Sequence, residues 1–241
     1  MIPGIAWLAL TIGVAGLVRG FTGFGTALIF VPVANRFLPP QDVIVLITLL
    51  GAVSTAALVP RAWVRGDRAE VGLLILAALP TVPFGLWVMT QLPQDTTRWI
   101  IAAIATITLA AIVSGRRYRG GLGTPGVLGV GAAAGLVGGM TGLTGPVVIM
   151  VYLASQRGAD SVRSNTILFL AGLDGVIFAN LLLGGLANLS LIWTAAVLSL
   201  PYLATTLVGQ ALFDPARERL YRGAAYAVIG LAVVTGLPIW E

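Results

Sequence analysis

Gly20-Phe-Thr-Gly-Phe-Gly25 and Gly138-Gly-Met-Thr-Gly-Leu-Thr-Gly-Pro146 interrupt two long apolar regions, 3–38 and 125–155, and their reading decides the fold. Each region is too long for one straight membrane span and too broken by glycine for a regular helix. The two are copies. A shift of 119 positions lays Gly16-Leu17-Val18 on Gly135-Leu136-Val137, Gly20 on Gly139 and Thr22-Gly23 on Thr141-Gly142, six identities in nine positions. Farther on, a shift of 121 lays Leu79-Pro80 on Leu200-Pro201. The chain reads as a tandem duplication, repeat 1 over 1–119 and repeat 2 over 120–241. Paired segments broken by glycine and proline in a duplicated apolar chain mark secondary transporters and point to their binding site.

Around these regions lie six apolar stretches long enough to cross about 30 Å of hydrocarbon as helices: 43–60, 71–90, 98–115, 164–184, 190–212 and 222–240. Composition agrees. Of 241 residues, 58% are hydrophobic and only 10% charged, where a soluble domain clothes itself with roughly a quarter charged residues. The mean hydropathy is +0.98. The chain therefore reads as an integral membrane protein, all-α and polytopic. The net charge of +5 comes from fourteen arginines scattered at the ends of apolar runs, a poor pattern for nucleic-acid binding. With neither Cys nor His, disulfides, thiolate nucleophiles, His-ligated haem and ordinary zinc sites are excluded. No enzyme chemistry and no cofactor are expected. The start, Met1-Ile-Pro-Gly-Ile-Ala-Trp7, lacks a basic signal-peptide region and is expected to stay in the fold.

Arginine placement selects the topology. If each glycine region crosses the membrane once, six arginines fall on one face and seven on the other, without a positive-inside bias. If each dips in and returns as a hairpin, Arg157, Arg163, Arg217, Arg219 and Arg222 join Arg61, Arg65, Arg68, Arg116, Arg117 and Arg119, eleven against Arg36 and Arg98. The hairpin reading places loops 61–70, 116–124, 156–163 and 213–222 in the cytoplasm and both termini outside. A hairpin plus three spans reverses orientation, so the two repeats are expected to be inverted. Trp63, Trp99, Tyr118, Trp193, Tyr221 and Trp240 fall at the span ends as an interfacial aromatic belt.

Only Arg19 and Asp174 bring charge into the membrane-embedded segments, at a cost of at least about 2.5 kcal/mol each. Two roles stand side by side: a structural ion pair, or Arg19 as the cation of an anion pathway with Asp174 tuning it or carrying a proton. Each hairpin turn also exposes backbone N–H groups that lipid cannot satisfy, at helix N-termini suited to anions. Thr144-Gly145-Pro146 reads as an N-cap with proline in the first turn, and the first copy's second arm begins near Gly23 to Thr26. The candidate binding residues are Arg19, Gly20, Thr22, Gly23, Gly25, Thr26, Gly139, Thr141, Gly142, Thr144 and Gly145, with Asp174 as coupling or ion-pair residue; close helix packing is the other reading of the glycines. Asn165, Thr48, Ser54, Thr55, Asn180 and Asn188 read chiefly as interhelical hydrogen-bond partners.

The duplicated motifs, Gly20-Phe-Thr-Gly-Phe-Gly-Thr-Ala-Leu-Ile-Phe-Val-Pro32 and Gly138-Gly-Met-Thr-Gly-Leu-Thr-Gly-Pro146, resemble those of the sulfite exporter TauE/SafE family of membrane permeases. The resemblance implies movement of sulfite, sulfonates such as sulfoacetate, or other small organic anions across the bacterial cytoplasmic (inner) membrane, usually outward. The expected partners are a small anionic substrate and the lipid bilayer, with assembly into a homo-oligomer left open. An anion channel lined by the same turns is the alternative, and a non-transporting membrane subunit a third reading.

Overall fold

The computed structural model describes residues 4–114, 123–154, 158–212, 218–237 and 239. Among them the chain is helical and contains no strand. The elements are α1 (Ile5–Thr22), α2 (Thr26–Ala34), α3 (Pro40–Arg65), α4 (Arg68–Ala78), α5 (Thr81–Gln91), α6 (Gln94–Val113), α7 (Thr124–Thr141), α8 (Pro146–Ala154), α9 (Ala159–Leu183), α10 (Leu191–Ala211) and α11 (Glu218–Gly236). Six of these are long and apolar enough to cross a membrane, and α4 with α5 is a bent apolar pair that passes the same test only when taken together. Val64, Leu183 and Trp193 are more than three-quarters exposed, as side chains facing lipid should be and side chains facing water should not. Arg116, Arg117, Arg119, Arg157, Arg217, Tyr118 and Trp240 lie outside the described residues.

Both glycine regions break where the sequence predicts, and by the same local device. Gly23 (φ +80°) and Gly142 (φ +75°) take the left-handed conformation that ends α1 and α7, and their N–H groups bond back to the Arg19 and Gly138 carbonyls. This is the glycine C-cap, open to other residues only under strain. Thr22 and Thr141 reinforce it identically. Each hydroxyl donates to the carbonyl four residues back, Val18 or Val137, and accepts the N–H two residues on, from Phe24 or Leu143. The first arms, α1 and α7, have 18 residues and the second, α2 and α8, have 9. The arms are therefore unequal, about 27 against 13 Å. In the first region the chain returns to the end it left, since Phe37, just past α2, packs on Gly4 before α1.

The expected span 71–90 consists of two helices, α4 and α5, meeting at 42°. Pro80 and Pro83, three positions apart, remove two amide donors from one turn, whereas α10 contains Pro201 alone and stays continuous. The repeat register in this helix also differs from the Leu79-Pro80 to Leu200-Pro201 match. The residues in equivalent contacts are Thr81 and Gly85 on α5 and Thr205 and Gly209 on α10, a shift of 124.

Those contacts show how the halves are joined. α1 runs along α10, and α7 along α4 and α5, so each long hairpin arm packs on the other half. A Cβ at Gly16 would meet Thr205 and the Tyr202 carbonyl; one at Gly135 would meet Thr81 and Ala78. One turn on, Gly20 abuts the Thr206 carbonyl and Gly139 the Val82 carbonyl. These are glycine seams in which backbones touch, the usual means of close helix association in lipid. The outer helices exchange likewise, α11 packing on α2 and α6 on α8. At the centre α3 and α9 lie antiparallel. Gln41 donates to the Leu186 carbonyl (2.7 Å) at one end, and Asn165 accepts the Asp67 N–H (2.8 Å) at the other.

Candidate functional site

Between the two glycine turns lies a cavity open to the centre of a water molecule over about 20 Å³, room for one or two waters. One wall is Arg19 of α1, Gly25 and the first turn of α2, and Tyr202 of α10. The lining also includes Thr144, Gly145 and Pro146 at the start of α8, with Asp174 of α9 and Gly51 of α3. Ile47, Ile149 and Leu170 complete it with apolar surface.

Arg19 is 4% exposed, and its Nε and Nη2 are buried without a hydrogen-bond partner. Leaving such donors unmet costs more than the about 1–3 kcal/mol of a neutral group. Arg19 and Asp174 face one cavity yet form no salt bridge among the described residues. Asp174 interacts with Arg19 through space and with the Thr144 hydroxyl. A Cβ at Gly51 would strike its Oδ2, so α3 carries a glycine where α9 carries the carboxylate.

The start of α2 also lines the cavity. Gly25 (φ +99°) is its N-cap and offers no side-chain oxygen to the first-turn amides, while its carbonyl accepts from Ile29. The Thr26 hydroxyl is 3.0 Å from the Tyr202 hydroxyl, and both are buried. In the second turn the expected cap moves by one residue. The Ile149 N–H bonds to the Gly145 carbonyl and α8 opens on Pro146, so Gly145, not Thr144, is the N-cap, freeing the Thr144 hydroxyl for Asp174.

Of the candidate residues, the cavity gathers Arg19, Gly25, Thr26, Thr144, Gly145 and Asp174. Gly20 and Gly139 sit in the helix seams, and Thr22, Gly23, Thr141 and Gly142 build the turns. Asn165 joins α9 to the start of α4, and Asn188 reaches Asp42. Thr48, Ser54 and Asn180 instead bond to carbonyls of their own helices, an outlet open to hydroxyls and amides in an apolar setting. Tyr202 is the residue that sequence reading missed. Its signal was position, since tyrosines of membrane helices favour the interface and this one stands mid-span.

The sulfite exporter TauE/SafE family matches residues 8–236, nearly the whole chain. The chain belongs to that family. This TauE/SafE protein is accordingly a multi-pass membrane transporter of the sulfite and small-anion type. Comparison with curated proteins and with solved structures finds no match. In this family member the cavity joins a fixed guanidinium, hydroxyls and the first turn of a helix, all groups that an oxyanion accepts from.

Proposed function

We propose that this TauE/SafE protein is a secondary transporter, not an enzyme, that exports sulfite or a small organosulfonate such as sulfoacetate through the cavity between the glycine turns. The observation that carries the reading is Arg19, with two buried nitrogens that no protein group satisfies, on a wall shared with the start of α2. The cavity holds water but not a sulfonate, so loading requires its walls to part. The exchanged packing of the halves and the antiparallel α3 and α9 support two inverted repeats that open alternately toward either side. In a bacterial inner membrane with both termini outside, an inside-negative potential of 100 mV favours outward movement of a monovalent anion by about 2.3 kcal/mol. Export then needs no ATP, and no Walker motif is present.

The test is calorimetric binding of sulfite and methanesulfonate, against neutral dimethyl sulfone, to the purified protein. The anions bind and the sulfone does not. Arg19→Gln removes a charge-assisted contact of about 1.5–3 kcal/mol, weakening the anions roughly tenfold to more than a hundredfold. Unchanged affinity in a folded Arg19→Gln protein rejects the site. Saturable counterflow in vesicles separates a carrier from a channel.

A further inference from the structure

The cavity is not simply cationic. Its lining includes Arg19, which makes no salt bridge among the described residues, and the hydroxyl-bonded pair Thr26 and Tyr202. The same lining includes Asp174, beside the Thr144 hydroxyl and over the space left by Gly51. A carboxylate is a liability in a site meant only for anions, because like charges in a low-dielectric enclosure repel strongly. It would cancel Arg19 most directly by pairing with it, and it does not. An ionised carboxylate only accepts hydrogen bonds, and a guanidinium only donates them. A donor and an acceptor that line one small cavity without pairing are complementary to a guest with both polarities.

We propose that the cavity takes an amphoteric guest: a small sulfur oxyanion held by Arg19, whose other end bears an N–H or O–H donor that the Asp174 carboxylate accepts. This rests on the anion-site reading above and narrows it, setting aside doubly anionic sulfonates such as sulfoacetate, whose second anionic end would meet the carboxylate. Among sulfur oxyanions, 2-aminoethanesulfonate, 2-hydroxyethanesulfonate and the hydrogensulfite ion have such a donor. Ethanesulfonate has none, and ethane-1,2-disulfonate presents a second anion to the carboxylate.

The matched two-carbon sulfonates are titrated into the intact protein in lipid nanodiscs at one fixed pH. The amino and hydroxy compounds bind at least tenfold tighter than ethanesulfonate, and the disulfonate binds weakest. Asp174→Asn erases the advantage of the amino compound while leaving ethanesulfonate bound at least as well as before. Gly51→Ala, which keeps every charge but crowds the Asp174 Oδ2, reduces the same advantage and serves where Asp174→Asn does not fold. Equal affinity for ethanesulfonate and the amino compound in the parent protein overturns the proposal, as does an advantage that survives both substitutions. If all the sulfonates bind equally and Arg19→Gln weakens all of them, the donor requirement falls and the anion site stands. If Arg19→Gln alters none of them, or none binds at all, the anion site falls and the proposal with it.

Discussion

Tyr202 and Thr26 meet through hydroxyls inside a membrane protein, where each would otherwise need water or a backbone carbonyl. Tyr202→Phe keeps the ring and deletes the contact, leaving the Thr26 hydroxyl to find another partner. A net hydrogen bond of about 1 kcal/mol predicts a loss of roughly fivefold in sulfite affinity with the thermal midpoint little changed. An unfolded Tyr202→Phe protein would instead mark the pair as structural. At Thr22 the opposite balance holds, because its hydroxyl both donates and accepts within the turn. Thr22→Val should lower stability by about 1–2 kcal/mol, read as a fall in thermal midpoint, with anion affinity in the surviving folded protein near that of the parent.

At the scale of elements, the helix seams set what the glycines tolerate. Gly139 on α7 abuts the Val82 carbonyl of α5, whereas a Cβ at Gly72 on α4 meets nothing within 4 Å. Gly139→Leu must push two backbones apart, at a cost of about 1–3 kcal/mol or more, and should reduce folded yield sharply. Gly72→Leu should leave the yield unchanged; equal yields for the two would contradict the seam. The glycine breaks were legible in the sequence because αL geometry and small size leave a compositional mark, and the duplication doubled that mark. Arg19 and Asp174 were legible because charge is rare in apolar spans. The bend between α4 and α5 was written in Pro80 and Pro83 but hidden by an unbroken apolar run. Which half each hairpin arm packs against was not legible, because glycine spacing marks a close contact without naming the partner. Tyr202 was missed for that reason, since it joins the site only when α10 lies along α1.

For the whole molecule, the proposed inverted topology is supported by the arginine asymmetry and the antiparallel central helices. Single cysteines suit a chain that has none of its own. Cysteines placed at 119, outside the described residues, and at Gly158, between α8 and α9, should both label from the cytoplasmic side alone. Labelling from opposite sides would refute the inverted arrangement.

The two turns are held unequally. Arg163 donates from Nη2 to the Gly20 carbonyl (3.0 Å), with its Cγ against Gly23. Across the shift of 119, Ile44 occupies the matching place at Gly142 and offers only hydrocarbon. One doorway is bolted and the other merely leans shut. On the proposed alternating reading, the bolted side should stay closed longer between openings, an asymmetry in dwell times even if the two halves share a design. Amide exchange should then be slower over 20–26 than over 139–145, and Arg163→Ala should bring the two rates together by speeding the first.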